Sequence, residues 1–235
     1  MSEFDLFSFD DLGNNLGVYQ RPEGYRFTSD AVLLANFVSA GSKEKVVELC
    51  AGSGVISILV ASKTKAKEIV AIEIQPSLAD MARESVKRNN LEDKIKVITA
   101  DVKDGEKVLP SGFGDVCCCN PPYFRMGEGV VSDNEEIAIA RHEIKINLEE
   151  VVLASSYFLK YGGRAYFVYR ADRLYELFLA MDKARLTPKK LVLISPKEGK
   201  PADTVLVEGR KMGSPGMKIL SLIRSDEVLK QLKNI

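Results

Sequence analysis

The sequence predicts an α/β fold: a doubly wound, mainly parallel seven-stranded sheet with an antiparallel last strand pair and a small N-terminal extension. Three observations carry this reading. Short β-branched apolar runs alternate with helical-period segments, the pattern of a parallel sheet covered by helices. A tight turn, Gly52-Ser53-Gly54, joins the first such run to a helix. The last two runs are joined without room for a helix, so they must pair antiparallel. At 235 residues, 46% hydrophobic and 28% charged, the chain has core enough for one such domain.

Taken in order, residues 1–40 form the extension and 41–235 the main domain. The stretch 11–20 is turn-rich and suits a short hairpin, and Arg21-Pro22-Glu23-Gly24 is a second turn. Thr28 or Ser29 caps a helix to about residue 39, stopped by Gly41. Strands follow at 45–49, 68–74, 94–99 and 115–119, with helices at 55–63 and 77–89 between them. Residues 125–143 read as a long loop of lid or substrate-binding character. Asn147 caps a helix over 148–159 that Gly162-Gly163 closes. A fifth strand at 164–169, a helix at 172–185 and strands at 191–194 and 204–208 complete the sheet, with a last strand or tail at 217–223.

Composition excludes some classes. The sequence has no run of 18 apolar residues, so no transmembrane helix is expected, and the acidic start Met-Ser-Glu-Phe-Asp lacks a signal pattern; a cytoplasmic protein, monomeric and without an obligatory protein partner, is expected. Cys117, Cys118 and Cys119 are adjacent, and neighbours on a strand point to opposite faces, which suits neither a disulfide nor a zinc site; no metal is expected. Net charge is zero but uneven: residues 1–150 hold 17 Lys and Arg against 25 Asp and Glu, and residues 151–235 hold 16 against 8. The basic set Lys183, Arg185, Lys189, Lys190, Lys197, Lys200, Arg210 and Lys211 is either a solvated surface or a phosphate track.

The chemistry concentrates where the 115–119 strand stops at Asn120-Pro121-Pro122-Tyr123-Phe124. Neither proline has an N–H for a ladder, and each holds the residue before it extended, so the turn is stiff. It presents two acceptors, the Asn120 side-chain oxygen and the Pro121 carbonyl, to the two N–H donors of a planar amino group. Tyr123 offers a ring for stacking, worth roughly 1–3 kcal/mol per base. Bonding both N–H groups would localise the nitrogen lone pair toward an electrophile without a strong base.

The glycine turn, with Ala51, Gly52, Ser53 and Gly54, lets a nucleotide approach the backbone, and Glu73 beside Ile74 can accept from ribose hydroxyls. Ser57 replaces the third glycine of a dinucleotide fingerprint, and Glu48 before the turn would repel a pyrophosphate; both argue against NAD. An acid there suits S-adenosylmethionine, which is cationic and carries no phosphate. Asp101, beside Val102, is placed to accept from an adenine amino group.

These residues resemble a class I S-adenosylmethionine-dependent methyltransferase of the Asn-Pro-Pro-Tyr, amino-methylating kind, with a Rossmann-like methyltransferase fold. The chain is similar to the bacterial tRNA(Val) (adenine-N6)-methyltransferases through Gln20-Arg21-Pro22-Glu23-Gly24-Tyr25-Arg26-Phe27, Thr28-Ser29-Asp30-Ala31-Val32-Leu33-Leu34, Glu48-Leu49-Cys50-Ala51-Gly52-Ser53-Gly54, Ala140-Arg141-His142-Glu143 and the segment 202–209. Cys50 departs from the glycine common there. The resemblance implies N6-methylation of the tRNA adenine next to the anticodon. It places Glu48, Gly52 and Gly54 at the methionine end of the cofactor, Glu73 at the ribose, Asp101 at the adenine, Asn120 to Tyr123 at the target amino group, and Arg26, Phe27 and Thr28 near the pocket. Phe124, Arg141, His142, Lys189 and Lys190 become substrate-binding candidates; a lone histidine is otherwise more often structural. The same chemistry would also serve a release-factor glutamine amide, an rRNA base or a DNA base. A non-catalytic RNA-binding module is the reading of a different class, and the intact Glu48, Glu73, Asp101 and Asn120 argue against it.

Overall fold

The structure is a computed structural model that describes residues 7–220 and 223–224. A hairpin opens the chain, β1 (Ser8–Gly13) and β2 (Leu16–Gln20). Its turn is made by Asn14 and Asn15, both with positive φ (54° and 60°), the residue type that tolerates this geometry best after glycine. The hairpin docks on the main domain. Asn89 accepts from the Gly17 N–H at 3.0 Å and donates back to its carbonyl at 2.7 Å, and the Tyr19 N–H donates to Ser85 Oγ at 2.9 Å. Then comes α1 (Ser29–Phe37), which packs on α2.

The core is β3 (Lys45–Leu49), α2 (Val55–Lys63), β4 (Glu68–Glu73), α3 (Pro76–Arg88), β5 (Ile95–Thr99), β6 (Gly114–Cys119), α4 (Glu135–Arg141), α5 (Leu148–Phe158), β7 (Leu159–Arg170), α6 (Leu174–Lys183), β8 (Leu186–Ser195), β9 (Thr204–Lys211) and the short β10 (Lys218–Ile219) and β11 (Ile223–Arg224). Strand order is β10-β8-β9-β7-β6-β3-β4-β5, with β11 also on β8. Strands β3 to β7 are mutually parallel, and β9 runs antiparallel between β7 and β8 as the short connection demanded. Among the described residues the main sheet has nine strands rather than seven, the extra two being the two-residue pieces β10 and β11. Residues 221–222 of the expected 217–223 strand lie outside the described residues.

Strand alternation sorts the side chains into two cores. Val47, Leu49, Cys117, Cys119, Phe167 and Tyr169 face α5 and α6. Val46, Ile69, Val116, Cys118, Tyr166 and Val168 face α1 and α2. The three adjacent cysteines are therefore split between faces, all buried, and all free. Chain order reverses between β3 and β6: β4 and β5 extend one way, β6 and β7 the other. The crevice at the carboxyl ends of β3 and β6 is where such sheets take ligands.

Two expected elements differ. The stretch 125–143 is not loop throughout, because α4 occupies its second half. Helix α5 is not closed by Gly162-Gly163: β7 starts directly at Leu159, and both glycines lie inside it. Gly163 is needed for close approach, since a Cβ there would sit 2.9 Å from Leu159 Cδ2 and 3.1 Å from the Asp115 carbonyl. The start of α5 is held by a capping box, with Asn147 Oδ1 accepting from the Glu150 N–H and Glu150 accepting from the Asn147 N–H, both at 2.9 Å. Replacing Asn147 with Ala should cost about 1 kcal/mol, read as a lower midpoint in urea unfolding with an unchanged slope.

Candidate active site

Two cavities meet at the switch point. The first, a cleft open to solvent, is lined by Gly52, Glu73, Ile74, Asp101, Val102 and Asn120, with Gln75, Lys145, Ile146 and others. The second, adjoining it, is lined by Tyr25, Thr28, Asp30, Asn120, Pro121, Tyr123, Phe124, Ala140 and Arg141. Tyr25, Asn120 and Ala140 line both. The Asn-Pro-Pro-Tyr turn is thus a wall between them.

In the first cleft the carboxyl ends of β4, β5 and β6 deliver Glu73, Asp101 and Asn120. Glu73 is almost fully buried and organises the cleft floor. One carboxylate oxygen accepts from the Gly52 N–H at 2.8 Å and the other from the Gln75 N–H at 2.9 Å. The Ile74 N–H bonds the same carboxylate, whose remaining acceptor capacity faces the cleft. Burial raises the Glu73 pKa, and the backbone donors oppose that shift. Gly52 has φ +55° and faces Tyr25, so a side chain there would be strained and would point at a ring that lines both cavities. Asp101 caps the turn after β5 by accepting from the Lys103 N–H at 2.9 Å. Two carboxylates and one ammonium, Lys145, line the cleft, with Lys103 Nζ 3.6 Å from Asp101 outside the lining; the buried Glu73 is the acid left to a cationic nucleoside with hydrogen-bonding hydroxyls.

The roof is α4. Glu136 ties it down: its carboxylate accepts from Arg21 at 3.0 Å, from Ser77 Oγ at 2.8 Å and from the Tyr25 N–H at 2.9 Å. From its other end the Arg141 carbonyl accepts from the Tyr123 and Phe124 N–H groups, both at 3.0 Å. The Tyr123 carbonyl accepts from Arg173 at 2.8 Å, and Arg173 also pairs with Glu143 at 2.6 Å and Glu176 at 2.8 Å. The Tyr123 hydroxyl donates to Asn120 Oδ1, and the Asp30 carboxylate in the same cavity is a second acceptor within its reach. Burial pushes the Tyr25 hydroxyl up to about 12, so it stays protonated at neutral pH.

Several sequence-derived candidates stand elsewhere. Glu48 does not line the cleft. Strand alternation puts it on the face of Val46, under α2, where it is fully buried and accepts from Ser57 Oγ. Burial lifts its pKa to about 8, so it is mainly uncharged at pH 7 and offers no anion to a cofactor. Ser57 thereby has a use that a third glycine would lack. Gly54 is required by packing: with φ +88°, a Cβ would lie 3.2 Å from Ala82 Cβ on α3. Ser53 accepts from Gln20 Nε2 at 2.7 Å, and the Ala51 N–H donates to the Ile72 carbonyl. Arg26 is exposed and pairs with Asp10, away from both cavities; Thr28 lines the second cavity only. His142 is buried, with Nε2 3.1 Å from the Glu128 carbonyl and its ring against Phe124, a structural setting beneath the pocket rim. Lys190 pairs with Glu208 at 2.6 Å and Lys189 Nζ donates to the Ser214 carbonyl, both on β8, three strands from β6. Lys183, Arg210 and Lys211 are likewise engaged, with Glu149, the Gly162 carbonyl and the Ser156 and Leu159 carbonyls. These pairings account for much of the basic set without a polyanion.

Sequence reasoning missed Tyr25, Asp30, Glu136, Ala140 and Arg173 as site residues. The signal for α4 was present in Asn134, whose side chain accepts from the Glu136 and Ile137 N–H groups, followed by two acids.

The TRM5/TYW2 methyltransferase domain family matches residues 28–121. A tRNA1(Val) (adenine(37)-N6)-methyltransferase from Shewanella amazonensis is 34% identical over 139 residues, 59% of this chain and 54% of the relative, so the chain spans about half the length of that protein. A relative of the same name from Porphyromonas gingivalis is 26% identical over 218 residues, 86% of this chain and 83% of its own. Among solved structures, one described as a predicted O-methyltransferase from Agrobacterium tumefaciens superposes with a TM-score of 0.68 at 23% identity, covering 87% of this chain and 95% of that one. The fold is the Rossmann-like methyltransferase fold. No helix among the described residues is long and apolar enough to cross a membrane, and none of them form a group of three or more potential metal ligands.

The buried Glu48 makes a prediction about stability. Its folded pKa, about 8, lies above the ordinary 4.5, so its contribution is full below about pH 4.5 and is lost as pH rises through 8. Between pH 5 and 8.5 the protein should lose on the order of 1–4 kcal/mol of unfolding free energy through this group. Glu48→Gln keeps an acceptor for Ser57 and should flatten that part of the profile in urea unfolding at the two pH values. An unchanged slope would show Glu48 to be ionised in the fold.

Proposed function

We propose that this chain transfers a methyl group from S-adenosylmethionine to the N6 amino group of an adenine in tRNA, the adenine next to the anticodon of tRNA(Val). The observation that carries the reading is the shared wall: Asn120 lines both the acidic cleft and the pocket beside Tyr123. A donor in one cavity and an amino group in the other would meet at that residue. The substrate class follows the tRNA1(Val) adenine-N6-methyltransferases to which the chain is similar and the planar amino group that the turn can recognise.

The cleft residues fit the cofactor. Glu73 offers its remaining acceptor capacity to a ribose hydroxyl, Asp101 accepts from the adenine amino group, and Ile74 and Val102 supply apolar walls. When bound, S-adenosylmethionine supplies an electrophilic methyl group on a cationic sulfur. The chain's own work is positioning. Asn120 Oδ1 and the Pro121 carbonyl accept the two amino hydrogens, hold the nitrogen in place and localise its lone pair. Tyr123 and Phe124 give the base a stacking surface, and Arg141 is placed for a neighbouring phosphate. Orientation of this kind accounts for several kcal/mol of barrier lowering, roughly 7–11 at its upper range. A base in a single-stranded anticodon loop is splayed at little cost.

The test is methyl transfer from labelled cofactor into unmodified total tRNA, with nucleoside digestion and mass analysis. N6-methyladenosine is the expected product, and sequencing locates it. Label in protein, surviving RNase treatment of the substrate pool, would transfer the reading to a glutamine amide. Asn120→Ala should lower kcat by about 100-fold or more, the scale of losing a preorganised polar contact to the reacting group, while cofactor affinity in calorimetry stays within about threefold. Retained turnover would remove Asn120 from the role assigned to it.

A further inference from the structure

The second cavity holds a carboxylate with no place in the reading above. Asp30 stands in the first turn of α1, contributed by the N-terminal segment rather than by the strand ends. It lines the pocket with Asn120, Pro121 and Tyr123, where its carboxylate stands as an alternative acceptor for the Tyr123 hydroxyl and accepts from Thr28. The Tyr123 hydroxyl donates to Asn120 Oδ1. A tyrosine hydroxyl has one hydrogen to give. In this structure that hydrogen is directed at the very oxygen that an incoming amino group requires. A donor seated on Oδ1 takes up one of its lone pairs and weakens it as an acceptor for the substrate.

Resting on the amino-methylation reading, we propose that Asp30 is a positioning residue for the transfer: it takes over the Tyr123 hydroxyl when the amino group arrives, releasing Asn120 Oδ1 to the substrate. The exchange replaces a neutral amide acceptor by a carboxylate, and charge-assisted hydrogen bonds are about twice as strong as neutral ones. The Tyr123 ring need not leave its stacking position, because it is held from the other side by the edge of Tyr169 (centroids 5.6 Å apart) and by the Arg173 bond to its carbonyl. Only the hydroxyl hydrogen turns. The groups that face Asp30 are Tyr123 on the turn after β6, Tyr25 on the preceding segment and Asp203 just before β9, with Arg141 at the end of α4 lining the same cavity. Burial and the like charge of Asp203 raise the Asp30 pKa, and the Tyr123 and Thr28 hydroxyls beside it lower it, as expected of a carboxylate that can accept a proton donor when ionised.

The experiment is a double-mutant cycle on the full chain with unmodified tRNA as substrate. Asp30→Ala should lower kcat about 10-fold while KM for tRNA and cofactor affinity stay within about twofold; in a Tyr123→Phe background, where no hydroxyl competes for Asn120, the same substitution should change kcat by less than about twofold. Equal loss in both backgrounds, or no loss in either, overturns the proposal. A loss in KM or cofactor affinity instead of kcat overturns it as well, since that is what a merely structural carboxylate would cause. A second readout is independent of turnover: 3-fluorotyrosine at position 123 should show a shifted fluorine resonance in Asp30→Ala, and an unmoved resonance rejects the contact. A wild-type protein that methylates no amino group, with that resonance still responding, would sink the functional reading and the role of Asp30 in transfer while leaving the hydrogen bond in place.

Discussion

The two prolines after Asn120 are the constraint on which the site depends. A strand that meets two residues without N–H groups cannot extend its ladder, and its next donors must be satisfied elsewhere. Those donors are the Tyr123 and Phe124 N–H groups, and both go to the Arg141 carbonyl at the end of α4. The return bond runs from the Glu143 N–H to the Phe124 carbonyl at 2.8 Å. Arg173 completes the clamp from the side of α6. The turn that separates the cavities is rigid because of a short helix and a buried guanidinium, neither adjacent to it in sequence. The same bonds leave Asn120 lining both cavities and Pro121 lining the second.

Electrostatics divide the labour among the acids. Glu48, Glu73 and Asp101 stand near the carboxyl ends of neighbouring strands, yet their environments separate them. Glu48 has one hydroxyl partner, and among the described residues its other oxygen has none, so desolvation dominates and the neutral form prevails. Glu73 is nearly as buried but has a backbone donor on each oxygen, which supports the charge it would present to a ligand. Asp101 is only half-buried and caps its own turn. One carboxyl has become part of the core beneath α2, and two line the cleft.

Most of the fold was legible because its signals are local. Val55–Lys63 and Lys45–Leu49 were readable to the residue, since a glycine turn punctuates them and apolar period distinguishes strand from helix. The antiparallel β9 was readable from a connection too short for a crossover. Helix α4 was hidden in a stretch whose glycines and acids outweighed a seven-residue helical signal. Glu48 was misplaced because its position before the glycine turn was weighed and the alternation of its strand was not. Lys189 and Lys190 were substrate-binding candidates because their partners in the fold, the Ser214 carbonyl and Glu208 respectively, lie beyond β9 or on it and are not near in sequence.

The sequence by itself determined the order of strands and helices, the glycine turn and the stiff Asn-Pro-Pro-Tyr end of β6, because each follows from backbone chemistry within a few residues. It also determined which strand ends carry acids or amides. Only the tertiary structure decided which of those groups share a cavity. Tyr25 and Asp30 are far from Asn120 in the chain, and they meet it because the N-terminal segment is tied by Gln20 to Ser53 and by Glu136 to the Tyr25 N–H, while α1 packs on α2. Such contacts between distant segments depend on how faces pack and which buried donors find acceptors, and neither is written in the spacing of residues along the chain.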